Sequence, residues 1–239
     1  GAWEGHHQAG KTNAVTGRFF EHRPSEEFYD NFKDFHNVDN QIDDPLHQTK
    51  IKELKKELRR QQLKYFDSGL IPEEMRNRMI KEKKTTVYAF VRDPKLYPLA
   101  KYLDYADLAL SRNKVNLKTL TKGLSSKDPV IRYWSVVGLL LLEKGAKPAI
   151  PALKKVLGDQ DEIPPLAAWA IYKAGDKTFA EKWMLETITN DPGNKMLANI
   201  LDWMDEGSFS ILAKIPNDKL PKRGLLKDVV KRAEERKKG

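Results

Sequence analysis

The chain has 239 residues, of which 40% are hydrophobic and 32% are charged. This length allows one large or two small domains with a sizeable core, and the composition is typical of a soluble globular protein rather than a disordered one. No apolar run approaches the roughly 18 residues that a membrane span needs. The absence of cysteine excludes disulfides and thiolate chemistry.

The formal net charge is +9, from 43 basic and 34 acidic side chains. Such a surplus is compatible with nucleic acid, an anionic glycan or an acidic membrane surface as partner. It lies mainly in residues 50–84 and 219–238, where acidic residues are interspersed. We therefore interpret both stretches as solvated helix faces.

The first third of the chain predicts a small α+β subdomain over residues 1–85. Aromatic residues predict short strands at 18–20 and 27–32 within otherwise irregular structure. A long helix is expected to begin at Pro45 and end near Gly69. A second helix should run from Pro72 to about Lys83, and 85–91 should be an extended linker before the domain boundary.

Residues 95–239 predict an array of helix pairs. Trp134, Trp169 and Trp203 lie 35 and 34 residues apart, and prolines and glycines mark the joints between helices. Apolar helices of this kind bury their open faces by stacking. The predicted units are an atypical pair and three HEAT-like pairs, followed by a basic capping helix, at 97–110, 116–144, 147–175, 177–207 and 224–238. The tryptophans are expected to pack in the core of this α-α solenoid.

Two patterns that suggest chemistry have simpler explanations. Residues 5–12 match the letters of a phosphate-binding loop, but no hydrophobic strand precedes them, so we expect a coincidence. The five histidines show no metal-ligand spacing and are expected on the surface. We therefore predict neither a metal site nor a catalytic group in this chain. Lys154, Lys155, Arg132 and Lys173 could line a concave binding surface on the array.

The run R-F-F-E-H-R-P-S-E-E-F-Y-D at 18–30, with Asp34, Asn40 and the helix after Pro45, resembles the C-terminal region of sulfatases. In that family the stretch R-x-F…P-x-E-E-L-Y-D-L-x-x-D-P-x-E-x-x-N-L leads into the last helix. Residues 67–74 resemble the heparan N-sulfatase-like branch, some bacterial members of which carry a HEAT-like extension. The sequence departs from the pattern at Phe28, Asn31, Phe35 and Gln41.

The resemblance implies a parent enzyme that hydrolyses sulfate esters or sulfamates with a formylglycine and a calcium ion. This chain lacks the C/S-x-P-S-R motif that supplies the formylglycine, so the catalytic residues should lie upstream and the chain alone should be inactive. Its implied partner is the N-terminal catalytic domain, and its implied location is the periplasm or outside the cell. The residues expected at the rim of the substrate pocket are His6, His7, Lys11, His22 and Arg23, whose charges would suit sulfate.

Two other classes of function remain open. The chain could be a free-standing HEAT-like interaction or scaffold module with an aromatic docking segment. It could also be a basic helical nucleic-acid binder, whose affinity would fall steeply with salt. The lack of a base-reading motif argues against nucleic acid as partner.

Overall fold

The structure, a computed structural model, describes residues 2–21, 23–160 and 162–237. The chain divides into two compact units, the N-terminal unit Gly1–Tyr65 and the C-terminal unit Phe66–Gly239. The described residues are mainly helical, with thirteen α-helices and no strand among them. This confirms the mainly α prediction. None of these helices is both long enough and apolar enough to span a membrane.

The N-terminal unit consists of two helices joined by a long irregular segment. Helix α1 is Ala2–Gln8, and helix α2 is Gln48–Tyr65. A short 3-10 turn, Pro45–His47, leads into α2, where the Asp44 side chain caps the turn by accepting the N–H of Leu46 at 2.8 Å. The long helix predicted after Pro45 is therefore confirmed.

Neither predicted strand forms, so the α+β prediction for residues 1–85 is wrong. Arg18–Phe20 is a 3-10 turn, and residues 27–32 lack regular structure. A strand needs a neighbouring strand to satisfy its backbone groups. Here the backbone bonds locally instead, with Lys33 N–H donating to the Asp30 carbonyl at 2.9 Å.

The C-terminal unit is a succession of packed helices. The bounds of these helices are as follows: α3 Glu73–Glu82, α4 Val87–Arg92, α5 Leu99–Leu110, α6 Leu117–Gly123, α7 Pro129–Leu141, α8 Ile150–Lys155, α9 Ile163–Ala174, α10 Lys177–Asn190, α11 Lys195–Trp203, α12 Phe209–Leu212 and α13 Leu225–Arg236. Helix α7 contacts α5, α6 and α9, and α9 in turn contacts α8, α10 and α11. The last helix, α13, packs on α11.

The predicted helices of residues 116–207 and the capping helix are confirmed, with one correction upstream of them. Residues 97–110 hold a single helix, α5, rather than a pair. The apolar character of α7 and α9 is explained by burial, since both helices have neighbours on several faces. Gly138 permits a close approach of α7 to α5, because a Cβ there would lie 3.0 Å from the Ala109 Cα of α5.

The segment predicted as an extended linker is helical instead. Thr86 caps α4 by accepting the N–H of Ala89 at 3.2 Å, and Phe90 of this helix is fully buried. Residues before the expected boundary also join the core of the C-terminal unit. The indole of Trp134 donates to the Leu70 carbonyl at 2.9 Å, and Met75 is fully buried.

Candidate functional site

An aromatic cluster lies at the beginning of the N-terminal unit, formed by Trp3, His7, Phe19 and Phe20. The imidazole of His7 stacks on Phe20, with ring centroids 4.3 Å apart and planes inclined by 15°. Trp3 lies 4.9 Å from Phe19 and 5.3 Å from Phe20. Trp3 and Phe19 remain exposed, so the cluster presents aromatic surface outward.

Short polar contacts hold this cluster in place. His7 Nδ1 lies 2.9 Å from Thr12 Oγ1, which joins α1 to the loop behind it. Gly17 is buried against the same loop, and a Cβ at this position would lie 3.0 Å from the Asn13 carbonyl oxygen and 3.2 Å from Thr12 Oγ1. Only glycine fits without displacing these atoms.

The residues predicted to line a substrate pocket are only partly brought together. His6 and Lys11 are exposed near His7, and the N–H of Lys11 donates to the His6 carbonyl at 2.9 Å. Arg23 instead forms a two-point pair with Glu27 at 2.7 and 3.2 Å. The hydrogen bond to Glu27 raises the pKa of Arg23. His22 lies outside the described residues.

Part of the stretch that carries the sulfatase resemblance, residues 28–41, forms a closed loop, which we call the motif loop. The Asn40 side-chain oxygen accepts the N–H of Phe28 at 2.9 Å, and the N–H of Gln41 donates to the Phe28 carbonyl at 2.8 Å. The Asp30 side chain accepts the N–H of Phe32 at 3.1 Å. The polar side chains of the motif therefore shape the backbone.

A second carboxylate closes the far end of the motif loop. Asp34 Oδ2 accepts the N–H of Asp39 at 2.7 Å. Backbone hydrogen bonds from Val38 and Asp39 lower the pKa of Asp34 below its ordinary value. The loop holds Phe32 and Phe35 in exposed positions.

The residues that match a phosphate-binding pattern do not form such a loop. The first glycine of the pattern, Gly5, lies inside α1, where a phosphate loop would need extended backbone leading from a strand. Within the described ranges no group of three or more side chains is arranged to hold a metal ion.

Helix α2 carries an apolar stripe that is largely uncovered. Ile51, Leu54, Leu58 and Tyr65 share one side of the helix, and of these only Ile51 is buried. Leu54 and Leu58 are 50% and 60% exposed.

The helix also carries seven basic and two acidic residues, whereas residues 1–47 carry four basic and nine acidic ones.

The three tryptophans of the array differ in their surroundings. Trp134 and Trp169 are half-buried and pack against the core, as predicted. Trp203 is 57% exposed, so the prediction of core packing is wrong for this residue. Trp203 lies in the last turn of α11, and its ring still contacts Trp169, with centroids 6.1 Å apart.

Three of the four basic residues predicted for a concave surface are paired with carboxylates. Lys154 contacts Asp176 at 2.7 Å, Lys173 contacts Glu143 at 3.2 Å, and Arg132 contacts Asp159 at 2.6 Å. The remaining one, Lys155, is exposed. These pairs join neighbouring parts of the array and leave little free charge there.

Sequence reasoning missed Trp3, Thr12 and Gly17, which build the aromatic cluster. The available signal in the sequence is Gly17 shortly before Phe19 and Phe20, because glycine is favoured where the backbone approaches other atoms closely. Compared with protein-family models, with curated proteins and with solved structures, the chain gave no match.

Proposed function

We propose that this chain is the non-catalytic C-terminal portion of a sulfatase of the heparan N-sulfatase-like type. Its N-terminal unit completes the enzyme by docking on the catalytic domain. Its C-terminal unit is a HEAT-like array that offers a surface to another protein or to a sulfated glycan. The catalytic groups, the formylglycine and the calcium ion belong to the catalytic domain, and the whole enzyme acts in the periplasm or outside the cell.

The observation that carries this proposal is the exposed apolar surface of the N-terminal unit. Among its described residues, Ile51 is the only buried large hydrophobic side chain. Ten large hydrophobic side chains are exposed: Trp3, Val15, Phe19, Phe32, Phe35, Leu46, Leu54, Leu58, Leu63 and Tyr65. Such a concentration is typical of a surface that another protein covers.

The free energy available from burying these side chains favours docking over chance exposure. Full burial of one leucine or phenylalanine side chain contributes about 1.5–3 kcal/mol. Covering Phe32, Phe35, Leu54 and Leu58 therefore offers several kilocalories per mole, enough to offset much of the entropy that association costs. The motif loop and α2 carry these four side chains, and both elements include part of the stretch that resembles sulfatases.

Reconstitution tests the proposal. The catalytic domain of a heparan N-sulfatase-like enzyme that lacks its C-terminal region would be mixed with this chain. We expect a one-to-one complex, with hydrolysis of an aryl sulfate greater than that of the catalytic domain alone and none from this chain alone. If the two proteins elute separately and the activity is unchanged, the proposal is wrong.

A second candidate is a free-standing interaction module. The C-terminal unit favours it, because its buried side chains form one continuous core from Leu70 to Ala233. A unit with its own core can fold and bind partners without a catalytic domain. Expression of residues 66–239 alone would test this function, since it predicts a folded protein that keeps the binding partners of the full chain.

A further inference from the structure

A positively charged pocket lies between the beginnings of α11 and α13. It has a volume of about 300 Å³ and is open to solvent. Lys195 and Arg223 stand at its rim, and both are exposed. Its walls are apolar and include Pro192, Ala198, Pro221 and Leu226.

The charge of this pocket is not compensated. Its lining residues, all of them described, include no aspartate or glutamate. Within the described part of the chain, neither Lys195 nor Arg223 forms an ion pair. The carboxylate of Asp191, earlier in the chain, accepts the N–H of Gly193 at 3.2 Å. The pocket thus differs from the surface that carries Arg132, Lys154 and Lys173, where each cation is paired with a carboxylate.

The positive charge surplus of the chain lies in the same unit as the pocket. The N-terminal unit carries eleven basic and eleven acidic residues, so the whole surplus of +9 belongs to the C-terminal unit. A surplus of one sign attracts oppositely charged ligands and raises their rate of association. A second cavity of this unit includes Glu82 and Asp159 in its lining beside its cations, whereas this pocket has no carboxylate in its walls.

We propose that this pocket binds a sugar-sized molecule that carries a sulfate or phosphate ester. Lys195 and Arg223 would contact the ester oxygens, because ammonium and guanidinium groups form strong charge-assisted hydrogen bonds to such anions. The apolar walls would contact the face of the ring. A volume of about 300 Å³ lies at the small end of ligand pockets, which suits one or two sugar rings.

Titration calorimetry on the full chain, with three matched ligands, tests the pocket. The ligands are N-acetylglucosamine, its 6-sulfate and its 6-phosphate. We expect at least one ester to bind about tenfold or more tightly than the plain sugar, since a charged group replaces a hydroxyl. The tighter of the two esters identifies the source of the anion. If neither ester binds more tightly than the plain sugar, the proposal is wrong.

Two double variants separate the pocket from general surface charge. Lys195→Gln with Arg223→Gln removes both rim cations, whereas Lys101→Gln with Lys118→Gln removes two exposed lysines elsewhere in the C-terminal unit. The first variant should lose about tenfold or more in ester affinity, and the second should stay within about twofold. Equal losses in both variants would contradict the proposal. All four positions are exposed, so circular dichroism should show an unchanged fold.

The pocket rests on one part of the proposed function, the glycan surface of the C-terminal unit, but its test can be told apart from the docking test. The pocket lies in the C-terminal unit, whereas docking on a catalytic domain rests on the N-terminal unit. A chain that binds the ester but not the catalytic domain would sink the sulfatase proposal alone. A chain that binds the catalytic domain but not the ester would contradict the pocket proposal alone.

Discussion

The side-chain oxygen of Asn40 accepts a hydrogen bond from the backbone N–H of Phe28, twelve residues earlier, at 2.9 Å. The same oxygen lies 3.2 Å from the N–H of Ile42. One side chain thus holds both ends of the motif loop together. Residues that resemble the sulfatase signature therefore fix the shape of a loop that displays Phe32 and Phe35. Under the proposed function, this loop has a structural role and no catalytic one.

Replacing Asn40 with alanine should open the motif loop. The variant removes the acceptor for two backbone N–H groups, and each lost hydrogen bond costs about 0.5–1.5 kcal/mol. Hydrogen exchange at Phe28 and Ile42 should accelerate. Asn40→Asp keeps an acceptor oxygen at this position and serves as the control. Unchanged exchange in the alanine variant would show that Asn40 does not close the loop.

Acid should loosen the far end of the same loop. The pKa of Asp34 is lowered in the folded protein, so its carboxylate stabilises the loop at pH values above its ordinary pKa of 3.8. This contribution is lost as the pH falls below 3.8 and through the folded pKa. We expect exchange-protected Asp39 N–H to become exposed in that range, as measured by NMR. In Asp34→Asn the acid-dependent change should be absent.

Gly138 should be intolerant of any side chain. A Cβ would lie 2.7 and 2.8 Å from the two methyl carbons of Leu120 and 3.0 Å from the Cα of Ala109. Overpacking of this kind costs about 1–3 kcal/mol, against a gain in helix propensity of at most about 1 kcal/mol. Gly138→Ala should therefore lower the free energy of unfolding in urea.

Gly158 provides the matched control for this substitution. A Cβ at Gly158 has no heavy atom within 4 Å, so Gly158→Ala should change the stability by less than about 0.5 kcal/mol. Equal stabilities of the two variants would mean that α5 and α7 do not approach each other closely at Gly138.

Helices of the array could be predicted because their signals are local. Pro129 in the first turn and the Asp128 cap, which accepts the N–H of Val130 at 3.0 Å, begin α7 where the pattern suggested. Gly175, with a φ of +116°, ends α9 in the left-handed conformation that glycine favours. Caps and apolar periodicity act within a few residues and are therefore visible in one sequence.

The features that were mispredicted depend on distant partners or on weak local signals. Aromatic residues at 18–20 suggested a strand, but they pack on α1, which no local pattern shows. The linker prediction overlooked Thr86, because a single cap before a six-residue helix is a weak signal. Trp203 continues the spacing of Trp134 and Trp169, yet it is 57% exposed, because a spacing in the sequence does not show how far neighbouring helices cover a side chain.

Charged residues on α2 should weaken docking of the N-terminal unit. Leu54→Asp with Leu58→Asp places two carboxylates on the apolar stripe, where burial of a charge is strongly unfavourable. Affinity for the catalytic domain should fall by about a hundredfold or more, which corresponds to the loss of two buried leucines. Surface plasmon resonance with an immobilised catalytic domain would measure the change.

Val115→Asp is the control for the docking variant. Val115 is 78% exposed in the C-terminal unit, outside the surface assigned to docking, so its replacement should leave the affinity unchanged. Equal affinities for the α2 variant and the original chain would show that the stripe is not the docking surface.

The most direct test of the central claim is to sequence the reading frame upstream of Gly1 in the source genome. We predict an in-frame α/β domain that contains C/S-x-P-S-R, the site of the formylglycine, together with the aspartates and asparagine of a calcium site. A start codon immediately before Gly1, or an unrelated domain in that frame, would contradict the claim that this chain completes a sulfatase.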